Sequence, residues 1–323
     1  MKDTGSNETT GLKAPLISAT SAWLLGGLLL VLFAAGSVWD RQISEALFDP
    51  TVLVDPTAAN PVGLFGAAYG EVPLGLGFVA AGVLLLESAR SSRGWATVLR
   101  VALGAVPFLL GGFLVLYLPT HYLAWPGWVI VVVGLVLIFG ATFLVLKVSQ
   151  KTDPSRAVRV AVVIIVVAVA ELAIVNLAKL GWQRPRMRML EELAASGDGT
   201  LSFSHWWDPG TPERSELIAS GVTKAEEFKS FPSGHTANAA TLILLTTLPA
   251  LRRSLQKWSG WLFWVGATWA LYVALSRIIM GAHFLTDVTT GLAVTFVIIL
   301  VVYRFAFPVK KADELVGEPG SLK

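Results

Sequence analysis

The chain has 323 residues, 54% of them hydrophobic and only 15% charged, with a mean hydropathy of +0.66. That is too apolar for a soluble domain of this length, so lipid is the expected solvent. The pI near 9.2 comes from basic residues between apolar runs and argues against nucleic acid as a partner; with no cysteine, disulfides, thiolate catalysis and cysteine-ligated metals are excluded.

Residues 1–17 are polar and read as a cytoplasmic tail. Eight stretches then approach the ~20 apolar residues of a bilayer crossing: about 18–38, 72–88, 97–118, 127–148, 157–179, 234–251, 260–279 and 284–307. The first is expected to be an uncleaved span, because no small-x-small cleavage pattern precedes Trp39. The second is the weakest, shortened by Pro73 and several glycines. Two long loops, 39–71 and 181–232, lie on one predicted side, and the second forms the natural roof of a site. Residues 308–323 read as a second tail.

Charge placement orients this arrangement. With the N-terminus inside, cytoplasmic segments hold 16 of the 25 Lys and Arg residues. The external segments carry most of the acids, including Asp40, Glu45, Asp49, Asp55 and Glu71. The positive-inside rule therefore predicts both termini in the cytoplasm, in what we expect to be the plasma membrane. Trp23, Trp39, Trp95, Trp125, Trp128, Trp182, Trp258 and Trp261 fall near predicted span ends, as an aromatic belt requires. The fold class expected is all-α, a polytopic membrane helical bundle of about eight spans. Two accessory spans with an external loop occupy 18–96, and a six-helix core occupies 97–307.

Three stretches carry chemistry, and the topology places all three on the external side. In residues 276–287 (SRIIMGAHFLTD), His283 and Asp287 are four apart, which on a helix puts them on one face. The carboxylate can then fix the imidazole tautomer and leave the other nitrogen as nucleophile. Gly281 would let the chain turn between two spans. In residues 231–236 (FPSGHT), Ser233 reads as an N-cap, Gly234 permits close approach, and His235 sits in the first turn, able to deliver a proton to a leaving oxygen. In residues 179–186 (KLGWQRPR), Lys179 and its neighbouring arginines cluster at a membrane exit, and Arg277 ends the seventh span beside the third stretch. Taken singly, each feature has an ordinary structural reading: a buried polar pair, a capped helix, a snorkelling base. Together, one lysine and two arginines would neutralise a phosphoryl group and its transition state without a metal.

The order Lys-x6-Arg, Pro-Ser-Gly-His, Ser-Arg-x5-His-x3-Asp resembles the signature of the type-2 phosphatidic acid phosphatase superfamily, integral-membrane lipid phosphate phosphatases. Pro232, Ser233, Gly234 and His235 complete the second motif, and Ser276, Arg277, His283 and Asp287 the third. In the first, Met187 stands where the family usually has proline, while Arg184 and Pro185 form an Arg-Pro pair two residues early. Register favours Arg186 as the motif arginine, with Arg184 the alternative. The resemblance, covering about 97–307, implies His283 as nucleophile forming a phosphohistidine, Asp287 orienting it, and His235 as general acid. Lys179, Arg186, Ser233, Gly234 and Arg277 would bind the phosphoryl oxygens. No cofactor or metal is implied, and the partner is a membrane lipid with a phosphate headgroup.

Substrates of this kind include phosphatidic acid, phosphatidylglycerol phosphate, and a polyprenyl phosphate or diphosphate such as undecaprenyl diphosphate. The alternatives are a lipid phosphotransferase with a non-water acceptor, or a non-catalytic lipid or anion transporter. Glu171, within the fifth span, reads as a neutral or hydrogen-bonded structural group. His205, Trp206 and Trp207 could touch a headgroup or lipid surface.

Overall fold

The computed structural model describes residues 14–197 and 201–308. The two expected tails fall almost entirely outside the described residues. Of the first, only residues 14–17 are described, and Leu16 and Ile17 are buried.

The helices run α1 (Ala19–Leu47), α2 (Thr51–Val54), α3 (Pro61–Tyr69), α4 (Val72–Ala89), α5 (Trp95–Tyr117), α6 (Gly127–Ser149), α7 (Pro154–Trp182), α8 (Met187–Ala195), α9 (Arg214–Ala219), α10 (Gly234–Ala240), α11 (Leu248–Leu251), α12 (Ser259–Ile279) and α13 (Leu285–Ala306), with no strand among the described residues. Among the described residues, seven helical segments are long and apolar enough to cross a bilayer. Their outward faces carry large apolar side chains such as Trp95, Phe139, Phe143 and Phe305, as lipid demands of a helix whose backbone bonds are satisfied internally. The chain is an integral membrane protein with an all-α polytopic bundle.

One expected span differs. Residues 234–251 form α10, a 3₁₀ stretch at Thr241–Thr247, and α11, and do not make a continuous long helix. Hydroxyls explain the break: Thr241, Thr246 and Thr247 each donate to a carbonyl three residues back, competing with the i→i−4 ladder. This segment packs inside the bundle, against α12 and α7, where non-helical backbone is tolerated.

The second expected span is reinforced, because α3 and α4 together form an apolar segment over Pro61–Ala89. Its most apolar stretch is 72% buried, against 22% for the spans containing α1, α5 and α6, so it lies at the centre of the bundle. The glycines that weakened its hydropathy are contact points. A Cβ on Gly82 would lie 2.7 Å from the Gly104 carbonyl of α5, and one on Gly75 3.0 Å from the Gly111 carbonyl. Small residues let helix backbones approach closely in a membrane.

Local signals set the ends of the site-bearing helices. Asp153 caps α7 by accepting from Ser155 N at 2.8 Å, with Pro154 in its first turn. The helix stops at Gln183, whose φ is +48°, leaving Lys179 in its last turn and Arg184–Arg186 in the extended exit. Between α12 and α13, Gly281 adopts φ +59°, a left-handed conformation that glycine takes without strain.

Candidate active site

The three stretches meet. Ser233 N donates to Asp287 O at 3.0 Å, and Lys179 Nζ donates to the Lys229 carbonyl at 3.2 Å, just before the Pro-Ser-Gly-His turn. Ser233 caps α10, its Oγ accepting from Thr236 N at 3.4 Å. An added Cβ on Gly234 would stand 3.7 Å from Lys179 Nζ, so glycine keeps the backbone open toward the lysine.

His283 is buried, and its Nδ1 lies 2.5 Å from the Ser230 carbonyl. A carbonyl only accepts, so Nδ1 carries the proton and Nε2 keeps its lone pair. The i, i+4 contact expected with Asp287 is not a hydrogen bond: Oδ2 is 3.9 Å from His283 Nδ1. The reason is local, since α13 begins only at Leu285 and His283 precedes the helix. Asp287, in its first turn, instead caps Phe284 N at 2.8 Å. Its Oδ2 also accepts from Ser230 Oγ at 2.5 Å. Asp287 therefore holds the residue whose carbonyl holds His283.

The two candidate motif arginines occupy different places. Arg184 is buried behind Asp287, donating NH1 to Asp287 Oδ1 at 2.6 Å and NH2 to Asp40 Oδ2 at 3.0 Å. Its guanidinium lies 4.2 Å from the centre of the Phe284 ring. Asp40, in α1 just after its kink at Trp39, also accepts from Thr286 N at 2.9 Å and from the Thr286 hydroxyl. Arg186 is the extended residue that precedes α8; its charge acts on both histidines, and its NH1 is 3.6 Å from Glu227 Oε1. Glu227 is shared with Arg188, which donates at 2.9 and 2.5 Å. Burial raises the Glu227 carboxyl, but the Arg188 bonds and the arginine charges outweigh it and hold the group below its ordinary value.

Arg277 is buried, and its Nε and NH1, like Arg186 Nε, have no hydrogen-bond partner within the protein. Buried unpaired donors are costly, and here they belong to cations beside two histidines. Burial, then the charges of Lys179, Arg186 and Arg277 and the neighbouring His235, pull His283 well below the usual imidazole range, so the ring is neutral at physiological pH. The site thus presents an uncharged imidazole in a cationic cradle. That arrangement favours a dianionic ligand and its anionic transition state.

His235 lies beside this cradle. Its Nε2 is 2.9 Å from the Tyr122 hydroxyl, and its Nδ1 is 3.7 Å from Glu71 Oε1. Sequence reading did not assign Tyr122, Glu71, Asp40, Ser230 or Glu227 to the site. The readable signal for Asp40 and Glu71 was a carboxylate at the edge of a strongly apolar run. Glu171 is buried with neither carboxylate oxygen hydrogen-bonded, so the hydrogen-bonded reading of it fails. Trp206 packs on Phe33 at 4.9 Å and donates to Ser37 Oγ at 3.0 Å, fastening the roof loop to α1.

Comparison with curated proteins and with solved structures returned no match. Residues 157–311, which contain all three stretches, match the model of the PAP2 superfamily. That match spans just under half of the chain, and over it the chain is similar to the PAP2 superfamily.

Proposed function

We propose that this protein is a lipid phosphate or diphosphate phosphatase working through a phosphohistidine on His283, at the extracytoplasmic face. The observation that carries this reading is the pairing of an uncharged, buried His283, whose Nδ1 is committed to Ser230, with unpartnered buried donors on Arg186 and Arg277. Nε2 of His283 attacks phosphorus while the P–O bond to the lipid alcohol breaks, and His235 Nε2–H supplies the proton to the departing oxygen. Neutral His235 then takes a proton from water as the oxygen attacks phosphorus, and the N–P electron pair returns to His283. One ester and one water give one alcohol and one phosphate. Lys179, Arg186 and Arg277 neutralise the phosphoryl oxygens throughout, supplying charge that in other phosphoryl-transfer sites comes from a metal; the Gly234 amide is a further donor, whereas the Ser233 amide is spent on the Asp287 carbonyl.

A lipid substrate is supported by an apolar groove of about 630 Å³ lined by Leu30, Phe33, Ile174, Thr289, Val294 and Val297. It begins within a turn of Asp287 on α13 and could hold a tail while the headgroup reaches the cradle. The topology supports the external face, because the positive-inside bias and the loops that build the site agree on one side.

The test is phosphate release by purified protein from phosphatidic acid, phosphatidylglycerol phosphate and polyprenyl phosphates and diphosphates, with EDTA present. Wild type is expected to release phosphate and to yield an acid-labile, alkali-stable phosphoenzyme on rapid quench, and His283→Ala to do neither. A divalent-metal requirement, or activity surviving in His283→Ala, would overturn the mechanism. Label moving to a second lipid in place of inorganic phosphate would mark a transferase.

A further inference from the structure

The general acid in this scheme must start protonated, yet its surroundings oppose that. Arg277 of α12, Lys179 of α7, and Arg186 and Arg188 at the start of α8 all face His235, as does His283. Four permanent or near-permanent cations favour an uncharged ring. A proton donor placed there needs a carboxylate.

The carboxylates nearby are mostly committed. Asp287 is held by Arg184, Ser230 and Phe284 N, and Glu227 by Arg188. Glu226 pairs with Lys229. Glu71, in the turn between α3 and α4, is left. Asn238, one turn along α10 from His235, donates Nδ2 to Glu71 Oε1 at 2.7 Å. The same oxygen lies 3.7 Å from His235 Nδ1, while Tyr122 meets the other ring nitrogen and stands 5.5 Å under the Arg277 guanidinium. Nδ1 therefore faces the carboxylate, and Nε2 faces the Tyr122 hydroxyl, whose ring lies against the Arg277 guanidinium. Glu171 of α7, like Arg277, Lys179 and His121, lies close enough to Glu71 for their charges to interact.

We propose that Glu71 is the positioning residue of the general acid: its carboxylate keeps His235 charged, with Nδ1–H toward Oε1 and Nε2–H toward the leaving oxygen. This rests on the reading of His235 and His283 above. It assigns to the N-terminal half, outside residues 157–311, a direct part in catalysis through His235. A contact loose in the unliganded site tightens when the ring is charged.

Two substrates in the same mixed micelles separate positioning from scaffolding: dioctanoyl phosphatidic acid, whose alkoxide needs a proton to leave, and 4-nitrophenyl phosphate, whose phenolate does not. Glu71→Gln should lower kcat on the alkyl ester about 10- to 100-fold, part of what a general acid contributes. On the aryl ester it should change kcat by less than about threefold, as an aryl leaving group makes little demand on the acid. The basic limb of the alkyl pH profile should move toward acid, and Glu71→Asp should restore part of it. His235→Ala should show the same leaving-group signature. An equal loss on both esters, or an unmoved basic limb in Glu71→Gln, would overturn the proposal. If Glu71→Gln does not fold, Glu71→Asp decides: a normal basic limb with depressed rates on both esters would refute it. Activity persisting in His283→Ala would instead defeat the underlying mechanism, whatever Glu71 does.

Discussion

Asp40→Asn isolates the buried ion cluster behind the site. Asp40 accepts from Arg184 NH2, Thr286 N and the Thr286 hydroxyl, and its side chain and that of Arg184 are essentially without solvent. Asparagine keeps one acceptor, which can hold Thr286 N, but it turns an N–H₂ toward the Arg184 guanidinium. One charge-assisted bond is lost, about 1.5–3 kcal/mol, and a cation that had two carboxylates is left with one. Breaking a buried pair outright costs about 3–5 kcal/mol; Asp287 still neutralises Arg184 here, so the expected loss is about 2–4 kcal/mol. Reversible unfolding in mixed micelles would measure it, and a double-mutant cycle with Arg184→Met should return a coupling of at least about 1 kcal/mol. A change below about 0.5 kcal/mol for Asp40→Asn, or additivity in the cycle, would refute the reasoning that α1 is locked to the site through this cluster.

Two further outcomes follow from the turn at Gly281 and the buried His283. Gly281→Ala should destabilise by about 2–4 kcal/mol, since φ is +59° and the new Cβ would lie 2.7 Å or less from the Phe48 ring; a melting temperature equal to wild type would contradict the left-handed turn. For His283, held below the ordinary value of 6.5 by burial and then by Lys179, Arg186 and Arg277, the stabilising contribution is complete above that value and is lost as pH falls through the folded one. Wild type should therefore lose more stability than His283→Asn between about pH 7 and 5, where an imidazole of ordinary pKa titrates; parallel loss would contradict it.

What the sequence made legible was local. The three stretches can be read because each is a short run whose spacing carries its chemistry, and the spans because lipid imposes length and composition. The contacts that escaped join distant positions: Asp40 with Thr286 over 246 residues, Glu71 with Asn238 over 167, and Tyr122 with His235 over 113. Nothing in a spacing marks such partners. The His283–Asp287 contact failed for a different reason. The i, i+4 argument assumes both residues are helical, whereas Asp287 spends its oxygens capping the helix that starts after His283. The glycines of α4 misled in the opposite direction, lowering hydropathy where close packing on α5 needed small residues.

The charge pattern ties α1 and the turn before α4 to the site. The cations of the site, Lys179, Arg184, Arg186, Arg188 and Arg277, all lie within residues 157–311. Phosphate would neutralise those facing the cradle only while substrate is bound. Arg184 lies behind the cradle and is buried, so its second carboxylate must come from the protein, and Asp40 supplies it from α1. His235 has the same need on the other side, and Glu71 meets it from the turn before α4. A site with this excess of buried positive charge is expensive to keep empty. The N-terminal helices lower that cost from two directions, holding the cradle open for an anion without filling it.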